Sequence, residues 1–170
     1  MVTSGSGQVQ RVREAIEPVV AAAGLFLEDV AVVPAGRRSA VRVVVDLDED
    51  AVGSLDLDAL SAVSREVSAA LDAADPVRGE YVLEVSSPGT SRPLTELRHF
   101  RRARTRRVAL TLTDGSVVTG RLIAAGPTRY ELEDEGTTRT LDPALVVRGT
   151  VEVELTRAGP TDPQDDEEQD

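Results

Sequence analysis

Between Gln8 and Ala23 the apolar residues Val9, Val12, Ile16, Val19, Val20 and Ala23 recur at three- and four-residue intervals, which predicts one face of an amphipathic helix ending at Gly24. Pro18 lies inside that stretch and lacks the amide that would bond residue 14, so a kink or two short helical pieces are expected. Residues 25–33 and 40–47 read as strands, the second with Val41, Val43, Val45 and Leu47 on one face, joined by a turn at Pro34-Ala35-Gly36. Asp56 is placed to cap a second helix with the stripe Leu57, Leu60, Val63, Val67 and Leu71. A third strand with Tyr81, Leu83 and Val85 inward completes an α-β-β-α-β order, two helices on a small three-stranded sheet.

From residue 106 the period changes to two. Val108, Leu110 and Leu112 alternate with Ala109, Thr111 and Thr113, and Asp114-Gly115 follows as a hairpin turn signal. Further strands are expected over 117–125, 129–133, 137–141 and 146–155, with Gly120 marking a bend or a close backbone approach. Five short strands in so little chain predict a small closed or half-closed barrel. The expected divisions are a flexible N-terminus (1–7), an α/β domain (8–91), an Arg-rich junction (92–105), an all-β barrel (106–157) and a disordered acidic tail (158–170), whose composition buries nothing that would offset ordering.

Charge changes the picture more than length does. The 170 residues carry a formal charge of -11, unevenly placed: -8 over residues 1–91, +3 over 92–157 and -6 over 158–170. All 19 basic residues are Arg, which suits bidentate contacts to carboxylate or phosphate and equally a GC-rich genome. The absence of Cys excludes disulfides, thiolate metal sites and a cysteine nucleophile. No signal-like segment opens the chain, and the longest uncharged apolar run, Pro18 to Leu27, is far below the roughly 20 residues of a bilayer span. A cytoplasmic, soluble protein without a membrane role is expected.

Candidate enzymatic chemistry is thin. Asp46, Asp48 and Asp50 have the spacing that opens a calcium loop, but Ala51 stands where the turn needs Gly and Leu57 where a bidentate Glu is needed, so a solvated acidic loop is expected and no metal site. The stretch Ser86-Ser87-Pro88-Gly89-Thr90-Ser91 lacks a nucleophile elbow, and His99 is the only His. No phosphate-binding or dinucleotide glycine motif is present. A non-enzymatic binding protein with no cofactor and no small-molecule substrate is the reading. Arg92, Arg98, Arg101, Arg102, Arg104, Arg106 and Arg107 face Glu96 alone over sixteen residues. Such a run is either a phosphate-contacting surface or a solvated helix end that offsets the acidic tail. Two Phe, two Tyr and no Trp cannot build a single-strand stacking platform, so folded RNA backbone or a protein surface is the better target.

The element Leu83-Glu84-Val85-Ser86-Ser87-Pro88-Gly89 followed by Arg92-Pro93-Leu94 resembles the bacterial ribosome maturation factor RimP family. Supporting pieces occur in the family's order: Ile16-Glu17-Pro18-Val19-Val20, Val43-Val44-Val45-Asp46, the Val63 to Ser68 helix, Leu71-Asp72 to Asp75-Pro76, His99-Phe100 with Arg101 and Arg102, and Gly120-Arg121-Leu122. The resemblance spans about residues 8–155. Thr90-Ser91 stand where Leu-Asp is more usual, and Thr105 where a Gly commonly precedes the first barrel strand. A monomer is expected, and the resemblance implies an α+β N-terminal domain and a C-terminal SH3-like or Sm-like barrel. It also implies a non-catalytic role assisting assembly of the immature small ribosomal subunit, with rRNA and ribosomal proteins as partners, small-subunit protein twelve among them. The binding residues expected are Ser86, Ser87, Pro88, Gly89, Arg92, Pro93 and the Arg run from Arg98 to Arg107, with the SSPG loop either a direct contact or a structural turn. Pro88 restricts φ and Gly89 permits a positive one, so that loop should hold a defined shape. The competing class is a stand-alone Sm-like RNA-binding regulatory module, for which the barrel alone would suffice.

Overall fold

The computed structural model describes residues 3–154 of the chain, and the acidic segment 158–170 lies outside them. Helix α1 (Thr3–Ala22) begins five residues before the apolar periodicity, so residues 3–7, expected as a flexible lead, are helical. Once the packed turns nucleate, each added residue brings one further bond at little cost. Pro18 sits inside a single helix rather than between two pieces. Only the amide bond to Glu14 is forfeited, while Val12, Ile16 and Val20 on either side of it are fully buried. Gly24, at φ +75°, ends the helix, and the Leu25 amide returns to the Val20 carbonyl.

Strands β1 (Phe26–Ala35) and β2 (Arg38–Asp46) form the expected hairpin, with the turn slightly later at Gly36-Arg37. Pro34 remains in β1 because β1 is an edge strand, where a missing amide costs no ladder bond. Helix α2 (Leu57–Ala74) then crosses over to β3 (Tyr81–Ser86), which pairs parallel to β2 and gives the order β1-β2-β3. Asp56 caps α2 as expected, its Oδ1 accepting the Ala59 amide at 2.7 Å. Leu57, assigned to the apolar stripe by spacing, is 79% exposed: the first turn lies ahead of the core, which begins at Val63. Val12, Ile16 and Val20 of α1 and Val63, Val67 and Leu71 of α2 close over Val30, Val41, Val43 and Val45 of the sheet in one hydrophobic cluster.

A second cluster fills the C-terminal unit. Strands β4 (Arg107–Leu112), β5 (Val117–Ala125), β6 (Tyr130–Asp134), β7 (Thr137–Leu141) and β8 (Val146–Val151) pair antiparallel in the order β7-β6-β5-β4-β8, with a 3-10 turn at Pro143–Leu145 before β8. The 114–115 turn is present, with Gly115 at φ +85°. Gly120 is where a close approach was expected: a Cβ there would lie 3.1 Å from the Glu133 carbonyl oxygen and 3.3 Å from the Leu132 Cβ. Gly149 is tighter still, at 2.8 Å from Leu110 Cδ2 and 2.9 Å from Phe100 Cε1.

Between the two units lies helix α3 (Leu97–Arg102), which the hydrophobic pattern did not delimit. Phe100 and Ala103 are buried in the barrel's cluster, with the Phe100 ring stacked on Tyr130 at a centroid separation of 4.7 Å. Leu94 joins that cluster and exchanges two backbone hydrogen bonds with Gly149, at 2.7 and 2.8 Å. The junction is thus an integral edge of the barrel, and its opposite side meets the N-terminal unit.

Candidate functional site

The Arg run occupies that opposite side. Arg98 and Arg102, one helical turn apart on α3, point away from Phe100 and toward the loop that follows β2. Arg102 is buried and bidentate on Asp46, Nε to Oδ2 at 3.0 Å and a terminal nitrogen to Oδ1 at 2.9 Å. It also donates to the carbonyls of Ala51 and Gly53. Asp46, expected in a solvated acidic loop, is therefore 5% exposed and serves as a buried counterion. A planar five-donor fork suits such a site, where each uncompensated polar atom would be costly. Among the described residues no group of three or more His, Cys, Asp and Glu is arranged to hold a metal ion.

The neighbouring arginines are similarly engaged. Arg98 donates to Glu28 Oε1 at 2.8 Å and to the Leu47 carbonyl at 3.1 Å, and its guanidinium lies 3.5 Å from the centre of the Phe26 ring. Arg101 pairs with Glu49 at 3.1 Å. Among the described residues Arg104 takes backbone carbonyls only, those of Arg101, Glu49 and Asp50. Arg106 donates to Ser54 Oγ at 2.7 Å. Arg107 is turned away, pairing with Asp134 and Glu152 inside the C-terminal unit. A run that composition offered as an open phosphate surface or a solvated helix end is mostly a seam joining the two units, in which Arg98, Arg101, Arg102 and Arg104 meet carboxylates or carbonyls of the N-terminal unit and Arg106 a hydroxyl.

His99 fixes the start of α3. Its Nδ1 accepts the backbone amides of Thr95 and Glu96, each at 3.2 Å, so the ring is neutral with its proton on Nε2, facing Glu96 at 3.8 Å and Glu28 at 4.0 Å. Burial, and then the positive charge of Arg92, hold its pKa below the ordinary 6.5.

Arg92 differs from the rest. One of its terminal nitrogens is 3.3 Å from Glu28 Oε2, while its Nε is buried with no hydrogen-bond partner among the described residues. Glu28 is 5% exposed at its side chain and is shared between Arg92 and Arg98, so this trio keeps one net positive charge. Of the SSPG element, Ser86 ends β3, Ser87 and Gly89 are exposed, and Pro88 is half-buried. Gly89 does not use the positive φ that its identity permits, and a Cβ on it would meet only Ser91 Oγ at 3.7 Å. The Arg92 amide closes the turn on the Gly89 carbonyl at 3.2 Å. A cleft lies between this loop, the Gly53–Leu55 turn and the barrel, and Ser87, Pro88, Gly89, Arg92, Arg102 and Arg106 all line it. Ser86, Pro93, Arg98, Arg101, Arg104 and Arg107 do not.

Sequence reasoning found the arginines and missed their partners. The complementary signal was present in the acidic loop Asp46, Asp48, Glu49 and Asp50, and in the Leu97, Phe100, Ala103 spacing that turns one side of α3 to the barrel. Backbone carbonyl acceptors leave no such signal. Thr105, set where the resembling family commonly has Gly, has φ +73°, the left-handed conformation that a β-branched residue adopts only under strain.

No helix among the described residues is long and apolar enough to cross a membrane. The family described as RimP N-terminal domain matches residues 15–91. A protein from Kineococcus radiotolerans named Ribosome maturation factor RimP is 44% identical over 171 residues, an alignment covering 88% of this chain and 82% of that relative. The shared stretch takes in both units and the seam between them, and on this evidence the chain belongs to the ribosome maturation factor RimP family.

Proposed function

We propose that this protein acts in ribosome maturation, associating transiently with the immature small ribosomal subunit and helping its RNA and proteins assemble. It works without catalysis, as a cytoplasmic monomer. The observation that carries this reading is the 44% identity to a ribosome maturation factor across most of both chains. The seam adds a physical reason for both units to act together. With Arg102, Arg98 and Arg101 spent on N-terminal carboxylates, the two units present one composite face. That face is acidic on the N-terminal side, where residues 1–91 carry -8, which suits encounter with a basic ribosomal protein such as small-subunit protein twelve. On the other side the arginines without carboxylate partners suit RNA phosphate. A barrel acting alone as an Sm-like regulator would have no use for a buried ion pair to a second unit.

The test is sucrose-gradient sedimentation of tagged protein in lysate of the native host, with fractions probed for small subunits, large subunits and joined ribosomes. Co-migration with free small subunits alone is the expected result. Absence from every ribosomal fraction at low salt would refute the assignment.

A further inference from the structure

The cleft beside the SSPG loop contains three features that the fold does not account for. The Arg92 guanidinium reaches Glu28 at 3.3 Å through one terminal nitrogen, but its Nε is buried without a partner among the described residues, a cost that native structures rarely leave standing. Gly89 is conformationally unnecessary: its φ is not positive and a Cβ on it would make one ordinary contact, with Ser91 Oγ at 3.7 Å, so the entropic penalty of a glycine has no return in the folded chain by itself. The backbone amides of Gly89, Thr90 and Ser91 are likewise unused by the described residues.

Charge gives these features one sense. In a chain of -11, the cleft is locally positive. Asp46 neutralises Arg102, Glu28 leaves one positive charge on the Arg92 and Arg98 pair, and among the described residues Arg106 has only the Ser54 hydroxyl. His99 adds nothing while it is neutral. Unspent guanidinium donors, consecutive backbone amides and a glycine that lets the main chain approach closely are what a tetrahedral oxyanion selects. An oxyanion in the cleft would draw the Arg92 guanidinium toward it and relieve the orphaned donor.

We propose that this cleft is a binding site for one backbone phosphate of RNA, held by Arg92, Arg106 and the amides of the Gly89–Ser91 loop. The proposal rests on the reading that the chain binds an assembling ribosomal particle. Phosphate is favoured over a protein carboxylate because a run of backbone amides beside arginine is a recurring donor set for phosphate, and because the proposed function sets the chain against RNA.

The test uses the full chain and deproteinised precursor RNA of the small subunit, with affinity measured from about 50 to 200 mM salt, and two variants, Gly89→Ala and Arg106→Gln. Gly89→Ala adds a methyl whose one near neighbour is Ser91 Oγ at 3.7 Å and needs no positive φ, so its thermal melting should match that of the parent. Each variant is expected to bind RNA about tenfold more weakly, and Arg106→Gln to lower the slope of log affinity against log salt by about one. Parent-like affinity and slope in both variants would overturn the proposal, as would a parent that does not bind the RNA. Loss on intact immature subunits but not on free RNA would also overturn it, assigning the cleft to a protein carboxylate. Failure of the parent to sediment with small subunits at all would instead refute the ribosomal reading.

Discussion

Replacing Arg102 with Met keeps the apolar stem and removes the charge from the seam. Asp46 would then stay buried with the Leu47 amide, at 2.8 Å, as its remaining hydrogen-bond donor among the described residues. Removing one partner of a buried, hydrogen-bonded pair typically costs about 3 to 5 kcal/mol, because the other charge stays desolvated. The two carbonyls released, on Ala51 and Gly53, lie in a loop that water reaches and add little. In urea, with a slope of about 2 kcal/mol/M, the unfolding midpoint should fall by about 2 M. The exposed pair Arg42 and Glu84, also 2.9 Å apart but with side chains 58% and 53% accessible, provides the control: Arg42→Met should cost at most about 1 kcal/mol. In the double variant with Asp46→Ala the two costs should not add, leaving a coupling of about 2 kcal/mol or more. A loss below about 1 kcal/mol for Arg102→Met, or simple additivity in the cycle, would refute the claim that this pair holds the seam.

Thr105→Gly should stabilise the protein by about 0.5 to 1 kcal/mol, seen as a rise in Tm of a few degrees, because relief of a left-handed β-branched residue exceeds the added entropy of a glycine. Gly149→Ala should destabilise by about 1 to 3 kcal/mol in the same melting assay, since Leu110 and Phe100 leave no room for a methyl group. His99, with its folded pKa below 6.5, binds a proton less readily in the folded than in the unfolded state. Its contribution to stability should be whole above about pH 6.5 and be lost as pH falls below it, with an NMR titration midpoint below 6.5 and a weaker acid dependence in His99→Gln.

The strands were legible because each fold requirement left a mark of its own. Period-two alternation with Val and Leu placed β4 and β2, and Asp114-Gly115 marked a hairpin whose Gly has φ +85°. Asp56 announced its helix because an N-cap side chain is local chemistry. Helix α3 was not delimited, since six residues hold too few turns for a period to show, and its burial depends on Tyr130 and Gly149 from distant strands. The Arg run was visible and its environment was not. Whether a guanidinium meets water, a carboxylate or a carbonyl is decided by which loop folds over it, here the segment from Asp46 to Ser54.

That distinction changes which arginines can inform on RNA binding. Charge reversal at Arg101, Arg102 and Arg104 is the natural test of a basic patch read from composition. In the folded chain, however, reversal at Arg102 sets two carboxylates against each other in a buried site, and reversal at Arg101 does the same beside Glu49. Weakened subunit binding in those variants would report a broken seam as readily as a lost phosphate contact. Arg104 and Arg106 have no carboxylate partner among the described residues, and Arg92 shares one with Arg98. Their charge can therefore be offered outward without leaving a buried anion unpaired. If the seam positions the two units and these arginines contact RNA, a variant at Arg102 should lose stability and binding together, whereas one at Arg106 should lose binding with its stability nearly intact. That separation cannot arise from a uniformly solvated basic patch, in which all seven positions would behave alike.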